Sequence, residues 1–185
     1  MARITLVTGN PDKKKEFENA LSGTDIVIAD HHLHEIQSLN LREIVEHKVR
    51  GAYGCVKGPV IVEDVSFEVA AMNGFPGPFV KYWANLVGYE KALILCEAEK
   101  NWAARAVCAD AYFDGKQLVY VEEAVPGRLT SRAGDDGFGF DFFFIPDGYD
   151  QTFAQLGRTV KNKISHRARS LQALRVALAE KGILA

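Results

Sequence analysis

The chain has 185 residues, of which 48% are hydrophobic and 25% are charged, as expected for a globular protein with room for a sizeable core. The formal net charge of −2 argues against a broad basic surface of the kind that binds nucleic acid. No apolar stretch approaches the length of a membrane-spanning helix, so neither a nucleic acid nor a membrane is an expected partner.

The cysteines and the first residues bear on the cellular compartment. Cys55, Cys96 and Cys108 form no C-x-x-C pair, and an odd, scattered set is typical of reduced thiols that act as small buried hydrophobic groups. The chain enters "RITLVT" almost at once, which is too short and too early for a secretory signal. These features predict a cytoplasmic protein.

In the first half of the chain, short apolar runs alternate with amphipathic segments. They predict strands at residues 4–8, 25–29 and 59–64, and helices that begin at Pro11 and span 41–54. The apolar stripes of the two helices are Phe17, Ala20 and Leu21, and then Leu41, Ile44, Val45, Val49 and Ala52.

The second half predicts a helix at 88–99, a β-hairpin of 103–113 and 117–125, an extended aromatic segment at 138–145 and a last helix at 166–181. Asp114-Gly115 is the expected hairpin turn. The last helix is expected to begin after a Ser165 cap and to pack through Leu171, Leu174 and Leu178. We predict a mixed α/β fold around one long sheet flanked by helices, with a cleft near the strand ends that separates two lobes.

The segment "TGNPDKKKE" places lysines at the positive end of the first predicted helix, where cations are unfavourable unless an anion binds there. Asn10 is the expected cap of this helix. Lys13 lies four residues before Phe17 and is expected on the inward side, and Gly9 lets the backbone approach a ligand closely. We therefore predict phosphate binding by Thr8, Gly9, Asn10 and Lys13, and solvent exposure of Lys14 and Lys15.

Charged residues also occur where apolar ones are expected. Lys48 is the only charge on the stripe of helix 41–54, and it either extends to solvent or makes a second phosphate contact; both alternatives stay open. Glu63 and Asp64 close the buried strand 59–64, and Glu35 lies in another predicted loop. Carboxylates so placed are suited to Mg²⁺, although acids at strand ends also serve solubility alone.

The segment "GFGFDFFF" points to a base-binding site. Phe138 and Phe140 are two residues apart and share a face in an extended chain, and Gly139 between them leaves room for a ligand. Aromatic rings in this arrangement suit stacking on a base, and Asp141 can accept a hydrogen from a purine ring N–H. The remaining aromatic residues, Phe142, Phe143 and Phe144, are expected in the core.

Near the C-terminus, "KNKISHR" puts cations in the first turn of the last predicted helix. Lys161, Ser165, His166 and Arg167 form a donor-rich corner that suits a phosphate or a carbonyl, unless it is simply a basic helix start. The spacing of His31, His32 and His34 matches no standard metal site, so we expect them in a solvated connection.

Seven segments occur in a recognisable order: "TGNPDKKKE", "HEIQ", "VEDVSF", "NGFPGPFVKYW", "GFGFDFFFIPDG", "QTFAQL" and "KNKISHR". Together they resemble the inosine triphosphate pyrophosphatase family, the noncanonical purine NTP pyrophosphatases, roughly from Thr8 to Arg167. The resemblance implies an elongated α/β domain of two lobes over residues 1–185, usually a homodimer, with a nucleotide in a central cleft. It also implies Mg²⁺-dependent hydrolysis of ITP, XTP and their deoxy forms to the monophosphate and pyrophosphate.

The resemblance carries the family's functional residues onto this sequence. Its triphosphate motif falls on Thr8, Gly9, Asn10 and Lys13, and its helix lysine falls on Lys48. Its metal-binding acids fall on Glu35 and Asp64, with Glu63 beside them. Its base pocket falls on Phe138, Phe140, Asp141, Lys161, Ser165, His166 and Arg167. The expected catalytic residues are Asp64, which activates a water, and Lys13 and Lys48, which stabilise the charge that develops.

Two positions depart from the family pattern and keep alternatives open. Val65 stands where the family usually has Ser or Thr, which removes a hydroxyl unless Ser66 replaces it, and Phe142 stands where it usually has Pro. One alternative is a related enzyme that removes modified pyrimidine or methylated nucleotides. Another is a nucleotide-binding protein that has lost catalysis.

Overall fold

A seven-stranded mixed sheet runs through the part of the chain that the computed structural model describes, residues 3–10, 13–14, 16–17 and 25–184. Its strands are β1 Ile4–Val7, β2 Ile26–Ala29, β3 Val60–Val69, β4 Pro76–Gly77, β5 Ala103–Phe113, β6 Leu118–Leu129 and β7 Phe144–Pro146. Their spatial order is β2-β1-β3-β5-β6-β7, with β4 paired to β3. β1 is parallel to β2 and β3, whereas β4 is antiparallel to β3 and β7 to β6. The predicted mixed sheet is confirmed.

Five α-helices accompany the sheet with their full length inside the described residues. They are α1 Leu41–Val56, α2 Val80–Leu86, α3 Tyr89–Glu99, α4 Phe153–Ile164 and α5 His166–Glu180. Lys13, Lys14, Glu16 and Phe17 are also helical, in agreement with the first predicted helix, whose Pro11, Ala20 and Leu21 lie outside the described residues. None of the described helices is both long and apolar enough to cross a membrane.

The cap and the apolar stripe of α1 explain why this segment is helical. The side-chain oxygen of Asn40 accepts hydrogen bonds from the main-chain N–H groups of Arg42 and Glu43, at 3.0 and 3.4 Å. The five predicted apolar residues of this helix are all buried. Because Lys48 lies on the same stripe, α1 carries its side chain toward the sheet instead of the solvent.

The chain divides into two compact units. Unit 1 comprises Met1–Asp64, Cys108–Glu123 and Arg167–Ala185, and unit 2 comprises Val65–Val107 and Ala124–His166. The core of unit 1 is mainly aliphatic and includes the predicted leucines of α5, with the members Ile4, Leu6, Phe17, Ile61, Tyr112, Val119, Leu171, Leu174 and Leu178. The core of unit 2 is rich in aromatic rings, among them Phe67, Trp83, Tyr89, Phe140, Phe143, Phe144 and Phe153.

Three predicted elements were wrong in extent or type. β6 was predicted to end at residue 125 but continues to Leu129. β3 was predicted to end at residue 64 but continues to Val69, because Phe67 and Val69 supply further apolar side chains to the core of unit 2. The predicted extended segment 138–145 instead forms a 3₁₀ turn at Gly139–Phe142 before β7. Gly139 adopts a φ of 58°, in the left-handed region that favours glycine, and this reverses the chain.

The three cysteines are free thiols. Cys96 and Cys108 are buried, as predicted, whereas Cys55 is exposed, contrary to the prediction. Cys55 lies near the end of α1, away from the buried stripe of that helix.

Candidate active site

A hydrogen-bonded turn follows β1 at its carboxyl end. The Thr8 hydroxyl oxygen accepts from the Asn10 main-chain N–H at 3.2 Å, and the Asn10 side-chain oxygen accepts from the Lys13 main-chain N–H at 3.2 Å. The Asn10 carbonyl accepts from the Lys14 N–H at 3.1 Å, which is the first helical bond. Asn10 therefore caps the first helix, as predicted, and Thr8 fixes the approach of the chain to that cap.

Gly9 lies against a carboxylate. A Cβ added at Gly9 would lie 2.8 Å from Oδ1 of Asp30, the residue that follows β2. The absence of a side chain at Gly9 thus lets the exposed Asp30 side chain approach the turn.

Lys13 belongs to a buried ion-pair network in unit 1. Its ammonium lies 3.3 Å from Oε1 of Glu63, with 15% of the Lys13 side chain exposed and 2% of the Glu63 side chain. Arg167 donates to the same carboxylate through Nε at 2.8 Å and Nη2 at 3.0 Å, and it also contacts Glu16. Burial alone would lower the pKa of Arg167, but the charges of Glu63 and Glu16 outweigh it and raise that pKa.

This network gathers residues for which the sequence predicted three different roles. Lys13 was expected on phosphate, Glu63 on a metal and Arg167 in the base pocket, yet all three share one ion-pair cluster. Both oxygens of Glu63 accept from the Arg167 guanidinium, which favours a positioning role for Glu63 over metal ligation. Glu16, the fourth member, was not predicted; its place one helical turn after Lys13 was the available signal.

A second charged cluster in unit 1 surrounds Lys48. The ammonium lies 2.8 Å from Oε1 of Glu35 and 3.1 Å from Oδ2 of Asp64, and it donates to the main-chain oxygen of Glu63 at 3.3 Å. Only 12% of the Lys48 side chain is exposed, so it does not extend freely into solvent. Burial lowers the pKa of Lys48, but the charges of Asp64 and Glu35 outweigh that effect and the net shift is upward.

The chemistry of this donor set fits a hard divalent cation. Glu35 and Asp64 come from separate segments and direct one carboxylate oxygen each at the same positive charge. Within the described residues, no three or more His, Cys, Asp or Glu side chains form a metal-binding group, so such an ion would keep water ligands here. His31, His32 and His34 are exposed, as expected for a solvated connection, and the His34 ring packs edge-on against His47.

In unit 2, Asp141 is held by two donors. It is 1% exposed, and its Oδ2 accepts from the Lys161 ammonium at 2.7 Å and from the Phe138 main-chain N–H at 2.9 Å. The Lys161 ammonium also lies 4.2 Å from the centre of the Phe138 ring. Phe138, Asp141 and Lys161, predicted as parts of one base-binding set, are therefore neighbours.

The rest of the predicted base-binding set in unit 2 lies next to this group. Phe140 stacks on Phe67 with ring centres 4.5 Å apart, and its ring lies 5.3 Å from that of His166. Ser165 and His166 are buried, with 1% and 2% of their surface exposed. Phe140 thus packs in the aromatic core of unit 2, whereas Phe138 is partly exposed.

The two departures from the family pattern occupy apolar or stacked positions in unit 2. Val65 packs against the core of that unit. The Ser66 hydroxyl donates to Oε1 of Glu68 at 3.4 Å, so it is engaged within unit 2. The Arg132 guanidinium lies 4.4 Å above the ring of Phe142.

Sequence reasoning missed Asp110, a buried acid on β5 in unit 1. It is 0% exposed; its Oδ2 accepts from the Ser170 hydroxyl at 2.5 Å, and its Oδ1 has no hydrogen-bond partner within the described residues. Burial and then the charge of Glu63 raise the pKa of Asp110 to about 8. The available signal was a single acid in the apolar run "AVCADAYF".

Replacing Asp110 with Asn is expected to stabilise the protein at alkaline pH. The folded protein keeps a proton on Asp110 that the unfolded chain releases above the ordinary value of 3.8, so stability falls as pH rises from 3.8 toward 8. Asn removes this loss, and we expect a gain in unfolding free energy of about 1–3 kcal/mol at pH 8 and a smaller gain at pH 5. Urea denaturation at the two pH values measures both.

The control for this prediction is Asp150→Asn, at a fully exposed carboxylate in unit 2. It should leave the pH dependence of stability unchanged. Equal gains for Asp110→Asn at pH 5 and pH 8 would show that the Asp110 proton is not linked to folding.

Comparisons with known proteins bear on the whole chain. The model of the Ham1 family matches residues 4–177. An inosine triphosphate pyrophosphatase of Scheffersomyces stipitis is 34% identical over 189 residues, covering 95% of this chain and 97% of that protein. A dITP/XTP pyrophosphatase of Thermococcus kodakarensis is 36% identical over 173 residues, covering 92% and 94%.

The fold is also that of a solved relative. The structure of a HAM1 protein from Coxiella burnetii superposes with a TM-score of 0.86 at 25% identity, covering 97% of this chain and 100% of that one. The resemblance drawn from the seven sequence segments is thereby confirmed. The family match over most of the chain, with relatives more than 30% identical along nearly their whole length, means that this chain belongs to the Ham1 family.

Proposed function

We propose that this protein hydrolyses the noncanonical purine nucleoside triphosphates ITP, dITP and XTP to the monophosphate and pyrophosphate, and so removes them from the nucleotide pool. The names of its relatives, inosine triphosphate pyrophosphatase and dITP/XTP pyrophosphatase, support this activity. The observation within the chain that carries the proposal is the pair of inward-facing lysines of unit 1, Lys13 and Lys48, each held by carboxylates. Cations and acids so combined suit a triphosphate and its metal ion.

In this proposal, the turn after β1 binds phosphate. The partial positive charge at the start of a helix attracts anions, and the Thr8–Asn10 turn leads directly into one. Lys13 adds a full charge, and its ion pair with Glu63 restricts where that charge can lie. Arg167 holds Glu63 in turn, so we assign both to the positioning of Lys13.

Glu35 and Asp64 would hold Mg²⁺, since both present a carboxylate oxygen to one cationic position. The bound ion would neutralise charge that develops on the leaving pyrophosphate. Glu63 is the weaker candidate ligand, because the Arg167 guanidinium already engages both of its oxygens.

Three residues of unit 1 have separate roles in the proposed hydrolysis. A water attacks the α-phosphorus, the bond from that phosphorus to the bridging oxygen breaks, and pyrophosphate leaves with the electron pair. We assign to Asp64 the proton of the attacking water, because 21% of its side chain is exposed, so that a water molecule can reach its carboxylate. Lys13 and Lys48 stabilise the negative charge that accumulates on the phosphate oxygens.

The residues of unit 2 would recognise the base. Hypoxanthine and xanthine carry a 6-oxo acceptor, which suits the donors Lys161, Ser165 and His166, whereas the 6-amino group of adenine would leave donors unpaired. Lys161 and the Phe138 N–H hold the Asp141 carboxylate in place, and we assign to this carboxylate the ring N–H of the base. Phe138 is the partly exposed ring for stacking. Arg167 belongs to unit 1, and its role as a base contact stays a prediction beside the positioning role assigned to it above.

A substrate panel tests the function. We expect pyrophosphate release from ITP, dITP and XTP in the presence of Mg²⁺, with kcat/KM at least about 100-fold above that for ATP, because a site built of donors rejects a mismatched group strongly. GTP reports on the 2-amino group, and omission of Mg²⁺ reports on the metal. Pyrophosphate and orthophosphate are quantified separately, since only pyrophosphate fits attack at the α-phosphorus.

The same panel separates the alternatives. Preference for dUTP or methylated nucleotides would indicate a related enzyme with another substrate. Binding of ITP without pyrophosphate release would indicate a nucleotide-binding protein that has lost catalysis. ATP turnover as fast as that of ITP would contradict the assignment of the donor corner.

The resemblance to the family also supports a homodimer, and the three free thiols support a cytoplasmic location. The net charge of −2 gives no support to a nucleic-acid partner.

A further inference from the structure

The Lys48 ammonium has a complete set of acceptors. It contacts Oε1 of Glu35 at 2.8 Å, Oδ2 of Asp64 at 3.1 Å and the main-chain oxygen of Glu63 at 3.3 Å. An ammonium group has three N–H donors, so three oxygens can satisfy it fully. Two of these oxygens belong to the carboxylates that the proposed function assigns to the metal.

The same oxygens therefore have two possible cationic partners. Without any cation, the carboxylates of Glu35 and Asp64, which both contact the Lys48 ammonium, would lie close together and repel each other. The Lys48 ammonium removes this repulsion through its contacts with both carboxylates, at 2.8 and 3.1 Å. Lys48 can thus leave the carboxylates only as a cation that finds another anionic partner.

We propose that Lys48 and the divalent metal compete for Glu35 and Asp64: the ammonium occupies these carboxylates in the nucleotide-free protein and yields them when metal and triphosphate arrive together. This inference rests on the proposed function and concerns the order of binding. The triphosphate gives the displaced ammonium new acceptors, so metal and nucleotide favour each other's binding. Free metal alone should bind weakly, because it must break two ion pairs without compensation.

Direct metal binding tests the competition. Mn²⁺ serves as a paramagnetic probe, and its free concentration is followed by electron paramagnetic resonance during titration of the full chain without nucleotide. We expect Lys48→Met to bind Mn²⁺ at least about tenfold more tightly than the unmodified protein, within the range of usual coupling between two ligands. Lys91→Met, at an exposed lysine of α3 in unit 2, is the matched control and should change nothing.

Two further variants test whether tighter Mn²⁺ binding comes from loss of the Lys48 charge and whether it requires the Asp64 carboxylate. Lys48→Arg keeps the charge and should keep Mn²⁺ binding weak, which separates loss of charge from loss of packing. The double variant Lys48→Met/Asp64→Asn should lose the tight binding, because it removes one of the two carboxylates. Thermal melting of every variant verifies that it is folded, and Lys48→Gln replaces Lys48→Met if the latter does not fold.

The outcomes are distinct. Tight Mn²⁺ binding by the unmodified protein, no gain in Lys48→Met, or a gain that survives Asp64→Asn would each overturn the competition. Pyrophosphate release from ITP by the unmodified protein is measured in parallel. Release without a gain in Lys48→Met refutes the competition alone, whereas absence of release refutes the proposed function even if the Mn²⁺ affinity rises.

Discussion

Asp64→Asn is expected to lower kcat for ITP hydrolysis by about 10³-fold, within the range that a general base contributes. Asn has nearly the shape of Asp but lacks the charge, so it can neither accept the proton of the attacking water nor bind Mg²⁺ strongly. The Asp64 side chain is 21% exposed and Lys48 retains Glu35 as a partner, so the fold should tolerate the change. Steady-state pyrophosphate release measures kcat and KM.

The matched control is Glu68→Gln, four residues further along β3. Glu68 is also partly buried and ion-paired, with Arg105 at 3.2 Å, but it lies in unit 2 outside the proposed chemistry. Its kcat should stay within about threefold of the unmodified protein, since surface ion pairs contribute little. A kcat for Asp64→Asn as high as that of Glu68→Gln would remove Asp64 from the mechanism.

The spacing of apolar residues and the turn residues in short segments of the sequence predicted most of the helices and strands. The apolar stripe of α1 and the hairpin turn between β5 and β6 are properties of short segments, so single-sequence reasoning found them. The helices α2 and α4 were missed because α2 is short and Gly157 interrupts α4 with a φ of 72°. A signal for α4 was present in Thr152-x-x-Gln155, where each side chain caps the main chain of the other.

Ion pairs between residues that are far apart in the sequence could not be predicted from local pattern. That Glu63 and Asp64 are adjacent can be read from the sequence. The ion-pair partner of Glu63 is Arg167, 104 positions away, and the sequence does not show that pairing. The predicted strand end at residue 64 placed both acids at a tip, whereas in the longer β3 they lie within the strand on opposite sides of its pleat. One acid is therefore buried against cations and the other stays partly exposed beside Lys48.

Glu63→Gln is expected to destabilise the protein by about 3–5 kcal/mol, because removal of one partner leaves buried positive charge uncompensated. The Glu63 and Arg167 side chains are each 2% exposed, and Lys13 loses the same carboxylate. Glu16 remains as one partner of Arg167, which argues for the lower part of this range. Urea denaturation at pH 7, followed by fluorescence and circular dichroism, measures the loss.

A double-mutant cycle attributes that loss to the pair itself. Arg167→Met alone should also destabilise, because it leaves the buried Glu63 carboxylate without its guanidinium partner. The double variant Glu63→Gln/Arg167→Met should lose less than the sum of the two single variants, since neither buried charge of the pair remains. Glu68→Gln, on the same strand with a partly exposed partner, should cost less than about 1 kcal/mol. If Glu63→Gln costs no more than Glu68→Gln, the ion-pair network does not hold Lys13 in place, and Glu63 returns as a candidate for the metal ligand that its place beside Asp64 first indicated.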